Sequence, residues 1–286
     1  MRTSTVPSRS AGLPGRALAV LVALTAALAT AFVVAPRTLA ASGPDGFADE
    51  RDLGGAFSEA FTAYWASGGR DFPPGLERVV DYWFRYHAAK AVIAATLLIV
   101  LVALGVLLWR AFLRAGGLGA GRRAALASAG VLVTMLTLCS LPLVMANVQG
   151  AVAPFSSLLP LLAAGEAGGE LSGTLDQVKR RLAESLDAGG RTPPALEVMI
   201  GDFARYHVAL AAVAAVVAAV LIGVGVASWK RFAGTGPSDR RTRRVLGASG
   251  VLAVSSSLLV IVVGAANTAT AADPAPALLA FFEGGW

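Results

Sequence analysis

A segment of 90 residues occurs twice in this chain, 120 positions apart and without a gap, and this duplication restricts the fold more than any other feature. Residues 73–162 laid on 193–282 match at 30 of 90 positions, against roughly nine expected by chance for so Ala-, Val- and Leu-rich a composition. The matches are not only aliphatic. Pro73, Pro74, Leu76, Glu77 and the run Arg85-Tyr86-His87 return as Pro193, Pro194, Leu196, Glu197 and Arg205-Tyr206-His207. Trp109, Phe112, Gly130, Asn147 and Pro154 return as Trp229, Phe232, Gly250, Asn267 and Pro274.

What is duplicated is membrane-like. The 286 residues are 56% hydrophobic and 15% charged, with a mean hydropathy of +0.66, which is too apolar for a soluble domain. Four stretches, near 91–108, 124–146, 207–228 and 245–266, carry no Asp, Glu, Lys or Arg and are long enough to cross about 30 Å of hydrocarbon. A fifth, 17–35, precedes them. Polar and apolar residues do not alternate along these stretches, so the spans are read as helices, which satisfy every backbone group internally.

Charge placement orients them. With the N-terminus inside, the inner segments hold Arg2, Arg9, Arg16, Arg110, Arg114, Arg122, Arg123, Lys230, Arg231, Arg240, Arg241, Arg243 and Arg244 against one acid, Asp239. Those 13 bases and one acid give +12, and the remaining 11 bases and 17 acids give −6, the sum being the net +6. This is the positive-inside distribution, so the basic balance reflects topology and argues against a nucleic-acid partner. The inner loops would attract anionic lipid headgroups. Only three lysines accompany abundant Ala and Arg, the composition of a GC-rich coding sequence. The expected location is therefore the bacterial cytoplasmic membrane, N-terminus inside and C-terminus outside.

The first apolar run ends in Thr38-Leu39-Ala40-Ala41, which has the small residues of a signal-peptide cleavage site. Its length exceeds the usual 7–15 residues of such a segment, and its start parallels that of the 124–146 span, so a retained helix is expected. Cys139, the only cysteine, can form no intramolecular disulfide and reads as a buried packing residue.

The expected fold is all-α: a polytopic membrane bundle of about five helices, built from a tandem two-span repeat in parallel duplication, with a small helical outer cap. The divisions are 1–40 (cytoplasmic tail and first, signal-like helix), 41–72 (outer segment), 73–162 (repeat 1), 163–192 (outer segment) and 193–286 (repeat 2). Two spans per unit give both copies one orientation, so a pseudo-two-fold axis along the membrane normal is expected. In the outer segments, 52–65 carries Phe57, Phe61, Tyr64 and Trp65 at helical spacing, and 171–187 carries a leucine stripe. Thr174 and Gln177 have capping-box spacing, and Gly68-Gly69 and Gly189-Gly190 end the two helices. Pro74 and Pro194 suit a first helical turn. The helix from Pro74 would run to Phe112, about 58 Å, and project beyond the membrane.

The two histidines form an equivalent pair. His87 and His207 each lie 22 residues before Trp109 or Trp229, about 33 Å along a helix, which places them at the outer boundary. Asn147 and Asn267 end the partner spans at that level. Arg85, Tyr86, His87 and Asn147 with Arg205, Tyr206, His207 and Asn267 thus make a polar collar, read as interfacial anchors. The alternative is a shared site on the axis, two imidazoles binding a haem or a metal for electron transfer. Lys90 is expected to snorkel outward, towards an acid of the cap. Pro142 is expected to kink its span.

No carboxylate lies within a span, which removes the usual site of ion-coupled transport. No Walker loop, metal-spaced cluster or nucleophile elbow appears. The chain reads as non-enzymatic, with no cofactor expected, and as a membrane protein that binds a partner or self-associates, its aromatic stripe serving the cap. A passive carrier for an apolar or zwitterionic solute is the further alternative.

Overall fold

The computed structural model describes residues 15–41, 46–117, 119–164, 169–187 and 192–285, and all secondary structure among them is helical. In chain order the helices are α1 Gly15–Ala40, α2 Glu50–Ser67, α3 Pro74–Arg114, α4 Ala120–Val152, α5 Pro154–Ala164, α6 Glu170–Asp187, α7 Pro194–Gly234, α8 Arg240–Ala272 and α9 Pro274–Phe282. Five of them, α1, α3, α4, α7 and α8, are long and apolar enough to cross a membrane.

The local signals act where the chain needs them. Pro74 and Pro194 open α3 and α7, each 41 residues long, because a first-turn residue needs no N–H partner. Asp49 caps α2 by accepting from the Asp52 N–H at 2.9 Å, a bond that holds its carboxyl below the ordinary value. Asp239 caps α8 through the Thr242 N–H at 3.1 Å. Gly68 ends α2 at φ 63°, the left-handed conformation that favours glycine. Gly189 and Gly190 lie outside the described residues. Thr174 caps nothing: α6 begins at Glu170, and Thr174 is buried one turn inside it. A capping box needs its Thr at the boundary, and the spacing alone did not locate one.

The long helices stand in a row. α1 packs along α3, α3 pairs with α4, α4 meets α7, and α7 pairs with α8. A two-fold relation would also press α8 against α3 as α4 presses against α7, and no comparable packing exists among the described residues. The units are therefore placed side by side, which corrects the pseudo-two-fold expectation. On α3, α1 takes the place that α4 takes on α7.

The short helices gather at one end. α2, α5, α6 and α9, with Ala40 and the first turns of α3 and α7, bury one apolar cluster. Phe155 is its hub, with ring centroids 5.1 Å from Phe72, 6.0 Å from Tyr64, 6.3 Å from Phe57 and 6.4 Å from Phe61. Phe57, Phe61 and Tyr64 are fully buried, so the aromatic stripe is the core of this assembly and cannot serve as a binding face. Trp65 stays at the edge, its indole N–H donating to Gln177 Oε1 at 3.2 Å. Burial pushes the Tyr64 phenol up to about 12, so it remains a neutral donor to the Ala195 carbonyl at 3.4 Å. Cys139, expected inside, is exposed on α4: the helix turns its Ser140 inward and its thiol outward. α4 continues as one helix through Pro142.

Phe155→Ala should remove the hub and cost about 3–5 kcal/mol, the usual range for a buried Phe. Thermal unfolding in detergent should register it as a lower transition for the helical signal of the end cluster.

Candidate functional site

The collar divides into two separate pairs. In the first unit, α3 carries His87 and α4 carries Asn147, with imidazole Nδ1 3.1 Å from Asn147 Oδ1. In the second, α7 carries His207 and α8 carries Asn267, the same atoms being 2.7 Å apart. The Asn147 amide N–H donates to the Leu143 carbonyl at 2.7 Å, and the Asn267 amide to the Val263 carbonyl at 2.9 Å. These bonds orient both amides with oxygen towards the ring. An oxygen only accepts, so Nδ1 of each histidine carries the proton and donates, and in the neutral ring Nε2 keeps a bare lone pair. In the first unit that Nε2 is buried with no partner among the described residues.

The surroundings explain the difference between the copies. The His87 ring lies edge-on to Trp83 at 4.7 Å and to Tyr86 at 5.5 Å. It is pressed onto Gly150, where a Cβ would come within 2.8 Å of the ring. In the second unit the position equivalent to Gly150 is Thr270, whose hydroxyl donates back to the Ala266 carbonyl. His207 meets Phe203 edge-on at 4.6 Å.

The remaining collar residues have diverged. The Arg85 side chain donates to its own helix at the Asp81 carbonyl. Arg205 instead pairs with Asp202 at 3.0 Å, and Asp202, only 7% exposed, accepts the Ser156 N–H at 2.8 Å. A carboxylate of α7 thus caps the start of α5, a role the sequence reading missed. Its signal was present: Asp202 stands where the first copy has Tyr82. Two other groups were missed, Trp83, whose indole N–H donates to Ser157 Oγ at 2.8 Å, and Gln149. The Gln149 amide donates to the Tyr206 carbonyl at 3.2 Å and ties one unit to the other.

Lys90 does not reach an acid. Its ammonium donates to the Tyr86 hydroxyl at 3.3 Å and lies over the Phe32 ring of α1 at 4.8 Å. An aromatic cradle between α1 and α3 replaces the expected salt bridge, since ring faces attract a cation without a desolvated counter-charge.

Chemically, each pair ties together the two long helices of its unit. No group of three or more His, Cys, Asp or Glu that could hold a metal occurs among the described residues. The groups suited to coordinate a haem or a metal are the bare Nε2 atoms of His87 and His207, that of His87 being buried. His87 and His207 are each bonded within their own unit, and the hydrogen bond between units at this level comes from Gln149. Comparison with protein-family models, curated proteins and solved structures finds no match for this chain.

Gly150→Ala should force the His87 ring off Gly150 and strain its bond to Asn147, at a cost of about 1–3 kcal/mol. Thr270→Ser, at the equivalent position of the second copy, should stay within about 0.5 kcal/mol. Thermal unfolding of the two variants measures the contrast.

Proposed function

We propose that this is a non-enzymatic, multi-pass protein of the bacterial cytoplasmic membrane that works by associating with another membrane-spanning chain, a second copy being the simplest. The end cluster is its outer cap, the basic loops face the cytoplasm, and the two units are products of a tandem duplication. The observation that carries the reading is the open end of the helix row. α8 has α7 as its neighbour among the long helices, and Val251, Leu258, Leu259 and Val262 on it are 59–67% exposed. The other end of the row is α1, whose Val20, Val33 and Val34 are likewise 56–76% exposed. Meanwhile the two His–Asn pairs tie together the long helices of each unit, which supports scaffolding over catalysis.

A cysteine at Leu258 in a Cys139→Ser background should cross-link, in native membranes, to a second copy or to one stoichiometric partner. Reporter fusions after Gly117 and Thr235 should read as cytoplasmic. A clean monomer that conducts a solute into liposomes would favour the passive carrier and overturn the assembly reading.

The unpartnered Nε2 of His87 favours one second reading, a cofactor-binding electron-transfer protein. The absorption spectrum and metal content of the purified protein separate the two. The expected result is no visible band and no stoichiometric metal. A chromophore lost in His87→Ala would establish the second reading.

A further inference from the structure

Beyond the assembly reading and independent of it, we propose that the slot between the two units holds one anionic diacyl phospholipid at its basic end. α4 and α8 both flank α7 without packing closely against each other, and a cleft opens between them, backed at the basic end by α3. At the basic end the cleft is a cavity of about 630 Å³. Its walls are Val131 and Met135 of α4 and Val245, Ala248 and Leu252 of α8, with the Trp109 ring of α3 beside them.

Three guanidinium groups, Arg240, Arg241 and Arg244, stand at the mouth of this apolar cavity. No acid neutralises them: among the described residues none of the three is in an ion pair. Asp239, the nearest acid in sequence, is occupied in capping α8. Arg243, by contrast, is spent on the Phe232 and Thr235 carbonyls. Arg241 donates one long hydrogen bond to the Phe112 carbonyl at 3.5 Å, leans on the Phe112 ring at 5.6 Å and stays half-exposed.

The dimensions fit a lipid in one leaflet. From Arg240 to Leu252 the wall is roughly 18 Å at 1.5 Å per residue, close to half of a hydrocarbon core of about 30 Å. A second cavity, of about 370 Å³, continues the slot past Pro142 and Met145 towards Val263, with Leu210 and Leu221 of α7 contributing to its lining. Charge decides the headgroup. Guanidinium forks match phosphate oxygens, and three without a carboxylate partner among the described residues select a lipid with net negative charge over a zwitterion. The apolar wall below them selects acyl chains over free phosphate.

The test is lipid analysis of the protein purified in mild detergent, with rebinding of dioleoyl phosphatidylglycerol after delipidation. About one anionic phospholipid per chain should be retained. The triple change Arg240→Gln, Arg241→Gln, Arg244→Gln should lower retention about tenfold, and Ala248→Phe, which fills the cavity from an exposed position, should do the same. The charge-matched control Arg110→Gln, Arg122→Gln, Arg123→Gln should retain it. Phosphatidylcholine should not reload the site, and inorganic phosphate should not compete. Equal loss in both triple variants would reduce the effect to bulk charge and overturn the proposal. Competition by phosphate would replace it with a simple anion site. A change of oligomeric state in Ala248→Phe with lipid retained would assign the slot to a second chain. Should the triple variant fold poorly, Arg244→Gln alone carries the comparison, and undiminished retention in it and in Ala248→Phe overturns the proposal.

Discussion

Hydrocarbon gives no hydrophobic reward for bringing two apolar helices together, because lipid chains are as apolar as leucine. On the proposed topology this single constraint divides the molecule. Where lipid surrounds the helices, they must associate through close approach and hydrogen bonds, and their contacts use Ala94, Ala209, Ala214, Ala218, Gly225 and Ala253, all buried. Gly264 of α8 comes so near α7 that a Cβ would stand 3.3 Å from that of Ala214. Where water surrounds the chain, burying large side chains is rewarded. Of the large, fully buried side chains, all but Leu101 belong to the end cluster. The His–Asn bonds lie between these regimes, on the stretch where the long helices leave the cluster.

The two matching segments differ at positions that can be named. Trp109 lies on Gly130 and donates its indole N–H to Thr134 at 3.1 Å. Trp229 has Gly250 at the equivalent position but Val254 in place of Thr134. Without that acceptor it turns out to 61% exposure and stacks on Phe232 at 5.4 Å. Likewise Tyr82 and Asp202 are equivalent, yet only the carboxylate can cap α5 and hold Arg205. The His–Asn pair survives both times because its spacing of 60 residues is a property of the helical hairpin itself.

The long helices were legible because length, absence of charge and the paired prolines each act locally. That His87 and His207 stand at one level was also legible, from their equal spacings to Trp109 and Trp229, as was the level of Asn147 at the end of the partner span. Their mutual bond was not, since it depends on how far each helix is rotated about its axis, and periodicity does not fix rotation for a helix apolar on all sides. The same limit misassigned Cys139 and the Phe57 stripe: spacing shows that residues share a face, while only packing shows what that face meets. α5 and α9 escaped notice although Pro154 and Pro274 open them, because each comes after a long apolar helix with a single intervening residue.

Side-by-side repetition has a consequence that a two-fold arrangement would not. A row has two unlike ends, and each copy of the unit offers one face to its predecessor and the opposite face to its successor. α1 fills the predecessor's place on the first unit, with Phe32 over Lys90 and Leu18, Leu21 and Leu28 against the α3 leucines. α1 in turn leaves its own outward face uncovered, with Val20, Val33 and Val34 exposed, so the row ends in two unlike apolar faces. Identical chains that meet through one identical face, α8 on α8, form a closed two-fold pair, whereas α8 on α1 would extend the row head to tail. Association through α8 alone would stop at two, and a cross-link that propagates beyond two chains would point to α1 as the second face.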